Sequence, residues 1–326
     1  MAKPLTLMRT AAGTPICVSQ IQRLQEAGVR VVAVDCDALS VGFAFADAAF
    51  CVPPVKCAGY VDNLLKLAVR EGVDWIMPAL DEELLLLASA RERFEAVGTR
   101  LLLSNVEALR VCTDKLSTFE FFRDHGIPTP ETIPLSDLND AESVGQYPLI
   151  LKPRSGRGSQ GIHVVRSFQE ACAIRSHMDH GVAQRYIDGV EYTTDVLATP
   201  ERTLICTRRR IMTDSGICSK AAIECHPDIE HWVRTIAQKL NLFGPANVQC
   251  FVTPKGEVLF TEINARIAGS SILSIEAGAR ILDGLLAIMR GEELTVKSKI
   301  EDNLIMLRYW SEVYVTPDQA AQWNLQ

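Results

Sequence analysis

Paired cysteines are missing from this chain. Its ten cysteines are scattered from Cys17 to Cys250 with no CxxC spacing. That removes the usual sign of a zinc site and leaves reduced thiols serving as small core residues. No apolar stretch reaches about 18 residues, so no segment is expected to span a membrane. The start, Met1-Ala2-Lys3-Pro4, runs straight into a strand-like segment. It lacks the apolar core and cleavage site of a secretory signal. Positive charge is in deficit, with a formal balance of −7. This argues against a general nucleic-acid or anionic-membrane surface, although a local basic cleft is compatible with it. The P-loop pattern GxxxxGK[ST] is absent, as are the HRD and DFG tripeptides of protein kinases. There is no internal repeat and no low-complexity segment. These absences predict a soluble, cytoplasmic protein that binds neither nucleic acid nor membrane.

With 48% hydrophobic and 22% charged residues over 326 positions, the chain can bury a substantial core. Two or three structural units are expected at about 150 residues per domain. In the first hundred residues, strand-like runs at 5–8, 29–34, 75–77 and 101–103 alternate with helical patterns at 16–27, 61–71 and 82–96. Gly28 and Gly72 stand where helices should end. Such alternation predicts a parallel, Rossmann-like sheet. A second unit opens near residue 109, where Thr113-Asp114 should cap a helix running to His125. Beyond Pro148 the pattern turns to strands, with Ser167 and Glu170 forming a capping box for one helix. Antiparallel strands are predicted at 182–187, 192–198, 203–212 and 219–224. A helix over 228–242 and a hairpin over 246–266 follow. The polar segment after Thr316 reads as a loosely held tail.

Two constellations carry chemistry. The run Leu149-Ile150-Leu151-Lys152-Pro153 leads into a turn containing Gly156, Gly158, Ser159 and Gly161. The glycines satisfy GxGxxG, but the next residues, Ile162-His163-Val164-Val165, form a strand rather than a helix. A dinucleotide fingerprint must open a helix. A glycine-rich turn between two strands instead lets backbone N–H groups approach phosphates. The second constellation is the hairpin around Pro254-Lys255-Gly256-Glu257. With Thr253 facing Val258, Gln249 falls opposite Glu262 and Asn247 opposite Asn264, all four on one face. Oxygen donors beside a phosphate site suit magnesium. A solvated polar face on an edge hairpin has the same pattern.

The ordered set of Lys115, Leu151-Lys152-Pro153, the glycine turn, Gln184-Arg185-Tyr186-Ile187-Asp188-Gly189-Val190-Glu191-Tyr192, Asn247-Val248-Gln249 and Glu262-Ile263-Asn264-Ala265-Arg266 resembles the ATP-grasp superfamily. More narrowly it is similar to one module of a carbamoyl-phosphate synthase large chain or a free-standing carboxylate–amine ligase. The resemblance implies an α/β and α+β fold. A Rossmann-like pre-ATP-grasp domain would cover 1–108, a small lobe 109–183, a large lobe 184–300 and a C-terminal extension 301–326. It implies that Lys115 and Lys152 hold ATP phosphates under the turn of Gly156, Gly158, Ser159 and Gly161. Gln184, Tyr186 and Ile187 would line adenine, and Glu191 would meet the ribose. Glu262 and Asn264, with Gln249 beside them, would bind Mg2+, and Arg266 would act at the reacting oxygens together with Lys152. The family often has Pro where this chain has Ala265, which leaves both functional neighbours in place.

Weaker candidates for substrate contact are Arg208, Arg210, Lys220 and Asn247, with Arg209 expected on the opposite face of its strand. Asp81, Glu82 and Glu83, after Pro78, stand at a strand's carboxyl end, where α/β sheets place ligands, but as acids at a helix N-terminus they need no function. The expected activity is joining a carboxylate to an amine through an acyl phosphate, with release of ADP. The alternatives are phosphorylation of bicarbonate or carbamate and, in another class, a non-catalytic nucleotide-binding regulator. A homodimer is the expected oligomer.

Overall fold

The computed structural model describes residues 4–138, 147–156, 160–214, 216–294 and 299–323. Strands β1 (Thr6–Arg9), β2 (Arg30–Asp35), β3 (Ala48–Cys51), β4 (Trp75–Met77) and β5 (Arg100–Leu101) form a parallel sheet in the order β3-β2-β1-β4-β5. Its strands are short and apolar because both faces are covered. Helices α1 (Pro15–Glu26), α2 (Tyr60–Glu71), α3 (Asp81–Ser89) and α4 (Arg91–Glu95) connect them. Gly72 ends α2 in the left-handed region at φ 60°, as its position in the sequence predicts. Strand order reverses between β1 and β4, and crevices for ligands open at the carboxyl ends of strands at such a point.

Helices α5 (Val106–Cys112) and α6 (Lys115–Asp124) follow. Asp114 caps α6 by accepting from the Leu116 and Ser117 amides. The sequence reading assigns α6 to the small lobe, but Phe121, Phe122 and Ile127 pack with Phe260 and Ile263 of the large lobe. The small lobe proper is an antiparallel sheet in the order β6-β9-β7-β8, made of β6 (Thr132–Pro134), β7 (Leu149–Pro153), β8 (His163–Val165) and β9 (Gly181–Arg185). Helix α7 (Phe168–Arg175) covers it. Ser167 caps α7, while Glu170 reaches back to the Arg166 amide (2.8 Å), one residue before the expected partner. Because β9 belongs to this sheet, the lobe boundary falls after Arg185 rather than before Gln184.

The large lobe is a six-stranded antiparallel sheet in the order β14-β13-β10-β11-β12-β15. Its strands are β10 (Val190–Ala198), β11 (Thr203–Asp214), β12 (Ile217–Ile223), β13 (Gly244–Val252), β14 (Val258–Asn264) and β15 (Ile305–Leu307). Helix α8 (Pro227–Lys239) packs on one face. Helices α9 (Ser271–Glu276) and α10 (Ile281–Arg290) lie on the other, where Leu197, Leu204 and Ile223 share one continuous core with Leu7, Ile21 and Met77 of the front domain. Residues 301–323 are more than an extension. β15 joins the sheet edge, and after α11 (Pro317–Gln322) Trp323 packs edge-on against Phe43 and accepts a bond from the Cys51 amide. Among the described residues no helix is long and apolar enough to cross a membrane.

Candidate active site

Strand alternation places Lys152 opposite the buried Leu149 and Leu151 of β7. Its side chain is only 7% exposed, and Nζ donates to Oε1 of Gln184 (2.8 Å). Gln184 in turn donates to Thr132 Oγ1 (2.8 Å), which fixes which end of the amide faces the lysine. Burial lowers the Lys152 pKa from 10.5 to about 8; the Lys115 charge acts the same way, and Glu262 opposes it. Lys115 and Glu262 are therefore close enough for their charges to act on Lys152, although β7 and β14 belong to different sheets. Lys115 begins α6. Its amide bonds the Arg154 carbonyl (2.9 Å) and its Nζ reaches the Gly156 carbonyl (3.3 Å), while Asp114 pairs with Arg154. The glycine turn does join two antiparallel strands. Gly161 sits at φ 68°, and a Cβ there would lie 3.1 Å from the Pro153 ring, so backbone and space both call for glycine. Gly158 and Ser159 lie outside the described residues.

The lobes are joined by residues 186–189. Gln184 lies in the sheet, with its side chain engaged by Lys152. The Tyr186 amide already bonds the Pro148 carbonyl (3.3 Å), and Ile187 is buried. Glu191 lies on β10 on the same sheet face as Gln249 and pairs with Arg210 (2.7 Å). Burial raises its pKa, Arg210 opposes this, and Glu262 adds to it.

The hairpin pairs Gln249 with Glu262 and Asn247 with Asn264, as counted from sequence, although Val252 rather than Thr253 faces Val258. A β-bulge between Gln249 and Cys250 absorbs the one-residue difference. Asn264 Nδ2 donates to Asn247 Oδ1 (3.2 Å), which turns its own carbonyl oxygen away, and Asn247 Nδ2 donates to the Arg266 carbonyl (3.2 Å). Glu262 and Gln249 make no side-chain hydrogen bond or ion pair among the described residues. A carboxylate and amide oxygens within reach of the charges of two lysines fit a magnesium ion, which would take its remaining ligands from phosphates and water.

Arg266 follows β14 directly. Nε and Nη2 each donate to one Asp81 oxygen at 2.9 Å. Burial disfavours the guanidinium charge, but Asp81 outweighs this and the pKa is raised. Sequence places Asp81 at a strand's carboxyl end, where ligands bind, and favours a helix N-terminal acid without a function; its pairing with Arg266 was not anticipated. Glu83 holds this corner still. Its buried carboxylate accepts from Thr10 Oγ1, the Tyr60 hydroxyl and the amides of Ala79 and Leu80. Ala265 is buried in the front-domain core between its two functional neighbours, which explains a small apolar residue there.

The remaining candidates separate. Arg209 faces away as expected, sharing Glu224 with Tyr192. Arg208 is fully buried in an ion pair with Asp195, a partner not anticipated, so it underlies the site rather than opening into it. Lys220 is exposed, and its neighbour Ala221 is the residue paired with Arg210, which places Lys220 on the opposite face.

Residues 8–102 match the family described as PylC-like, N-terminal domain, and residues 112–270 the ATP-grasp domain. The chain is 26% identical over 178 residues to carbamoyl-phosphate synthase of Methanobrevibacter smithii, covering 53% of this chain and 47% of that protein. It thus spans about half the length of that relative. It is 22% identical over 291 residues to the 3-methyl-D-ornithine–L-lysine ligase of Methanosarcina mazei, covering 85% and 70% of the two chains. Among solved structures, N5-carboxyaminoimidazole synthetase from Staphylococcus aureus complexed with ADP superposes with a TM-score of 0.75 at 18% identity, covering 91% of this chain and 80% of that one. Front sheet, two-lobed module and matched families agree: the chain carries an ATP-grasp domain behind a PylC-like N-terminal domain.

Proposed function

We propose that this chain is an ATP- and magnesium-dependent ligase that converts a carboxylate into an acyl phosphate and passes the acyl group to an amine, releasing ADP and phosphate. Lys115 beside the glycine turn, Lys115 and Glu262 both close enough for their charges to act on buried Lys152, and Arg266 just beyond the same hairpin as Glu262 together support this reading. Phosphoryl transfer is chiefly alignment and charge neutralisation. In this reading Lys115 and Lys152 hold the phosphates while backbone amides of the glycine turn close over them. Backbone groups of Gln184 to Ile187 face adenine and Glu191 the ribose hydroxyls. Glu262 and Asn264, with Gln249 beside them, would hold magnesium, which would supply neutralisation of the phosphate charge. A carboxylate oxygen attacks the γ-phosphorus as the bond to ADP breaks. The amine then adds to the acyl carbon, Arg266 stabilises the oxyanion, and phosphate leaves.

An acyl phosphate is reactive enough to be intercepted. With ATP, magnesium and a panel of carboxylates, hydroxylamine should yield a hydroxamate and one ADP per turnover. Glu262→Gln, which keeps shape and removes charge, should slow this on the order of a hundredfold. Release of AMP and pyrophosphate would exclude the acyl-phosphate route. ADP release that needs bicarbonate and no amine would favour the bicarbonate-phosphorylating alternative.

A further inference from the structure

The outer edge of the large sheet is open at β15. The Arg308 amide bonds the Ser219 carbonyl (3.0 Å), and the Leu304 carbonyl accepts from the Ile223 amide (2.9 Å), so the even-numbered residues turn their backbone towards β12. Ile305 and Leu307 therefore turn their N–H and C=O groups outward, where no strand pairs with them among the described residues. Their side chains are 57% and 68% exposed, whereas Met306 packs on the core shared with the front domain. The strand itself holds no proline, lysine or bulge of the kind that usually protects an edge. Beyond it the chain is fastened again only where Trp323 meets Phe43, and every residue from Tyr309 to Gln319 is exposed. That run carries Tyr309, Trp310 and Tyr314, each at least 80% exposed, and Glu312 is the single charge between Tyr309 and Pro317.

We infer that this edge and the aromatic run after it form an interface between two copies of this chain, β15 pairing antiparallel with β15 of the second copy about a two-fold axis through Leu307. A two-fold contact requires a patch that complements itself. In this register the outward backbone groups of Leu307 meet those of its own copy, and Ile305 meets Tyr309. Arg308 falls opposite Met306, so no like charges face each other. Lys220, beside Leu307 on β12, is three strand spacings from its copy, about 14 Å, which exceeds the Debye length at physiological salt. The size also suits. Aromatic side chains bring about 150–250 Å² each, so the three rings with Ile305 and Leu307 offer roughly 700 Å² per copy, near the ~800 Å² per partner of a standard interface. The two large sheets would become one continuous sheet. This assembly does not depend on the reaction proposed above.

The test is sedimentation velocity on the full chain at concentrations from about 1 to 100 µM. A concentration-dependent dimer is expected. Leu307→Glu and Leu307→Lys each set like charges face to face on the axis and should weaken the dimer about tenfold or more. Leu307 is exposed in the single chain, so both variants should fold, with unchanged far-UV circular dichroism. Mixing the two variants should restore a dimer, because opposite charges then meet. Only a contact in which residue 307 faces its own copy gives that rescue; a dimer built on another surface is indifferent to all three samples. A chain that stays monomeric throughout the range, a dimer unaffected by either substitution, or a mixture that does not re-associate would overturn the inference. A monomer that instead binds a different protein through Tyr309 and Trp310 would overturn it as well.

Discussion

Lys152 enters the cleft with its amine already largely stripped of water, and that sets a pH dependence whose sign can be worked out. Its pKa in the free protein is about 8, against 10.5 for the unperturbed group. Phosphates favour the ammonium form, so nucleotide binding near pH 8 should take up roughly half a proton. MgATP affinity should therefore fall as pH rises above about 8. Calorimetry at pH 8 in buffers of different ionisation enthalpy reads the uptake directly, and Lys152→Met should abolish it. Stability runs the other way. Between about pH 8 and 10.5 the unfolded chain holds more protons at this lysine than the folded one, so its contribution to stability rises with pH there. Gln184 is part of the same device, because Thr132 fixes its amide with the oxygen towards the lysine.

Local signals in the sequence locate most elements. Alternation gives the parallel front sheet, Asp114 and Ser167 cap the helices expected of them, and period-two spacing places Arg209 opposite to Arg208 and Arg210. The hairpin is instructive because its turn pairs one residue earlier than a simple count suggests, yet the bulge on β14 restores Gln249 opposite Glu262. A bulge has no signature in a single sequence, so correct pairing at the functional end did not follow from a correct turn. Contacts between distant segments were illegible for a related reason. Neither periodicity nor spacing shows that Asp81 meets Arg266, that Arg208 is neutralised by Asp195, or that α6 packs on the large lobe. At the glycine turn the local demand is strong enough to test. Gly161→Ala adds a Cβ against Pro153 at positive φ and should cost about 1–2 kcal/mol of local strain. The expected outcome is a raised KM for MgATP with little change in Tm, measured by hydroxamate kinetics and thermal unfolding.

Across the whole molecule, the front domain holds Arg266 through Asp81 and, under the proposed function, would reach into the chemistry there. Asp81→Asn keeps the shape of the clamp but weakens its hold on the Arg266 guanidinium. It should lower kcat for hydroxamate formation about tenfold or more while leaving MgADP affinity intact, since nucleotide is held elsewhere. Equal loss of both would make the pair merely structural. The distribution of apolar cores adds a mechanical consequence. Front domain and large lobe share one core, whereas β6–β9 and α7 have a small core of their own. Glu262, Arg266 and Lys115 thus sit on a fixed anvil and Lys152 on a light jaw, connected through residues 128–131 and 186–189. Across the mouth of that jaw the ties are polar: the Asp114–Arg154 ion pair and the bonds from Lys115 to the backbone at Arg154 and Gly156. Partly exposed ion pairs are screened by salt and apolar cores are not, so ionic strength is the handle that loosens the jaw while leaving the anvil whole.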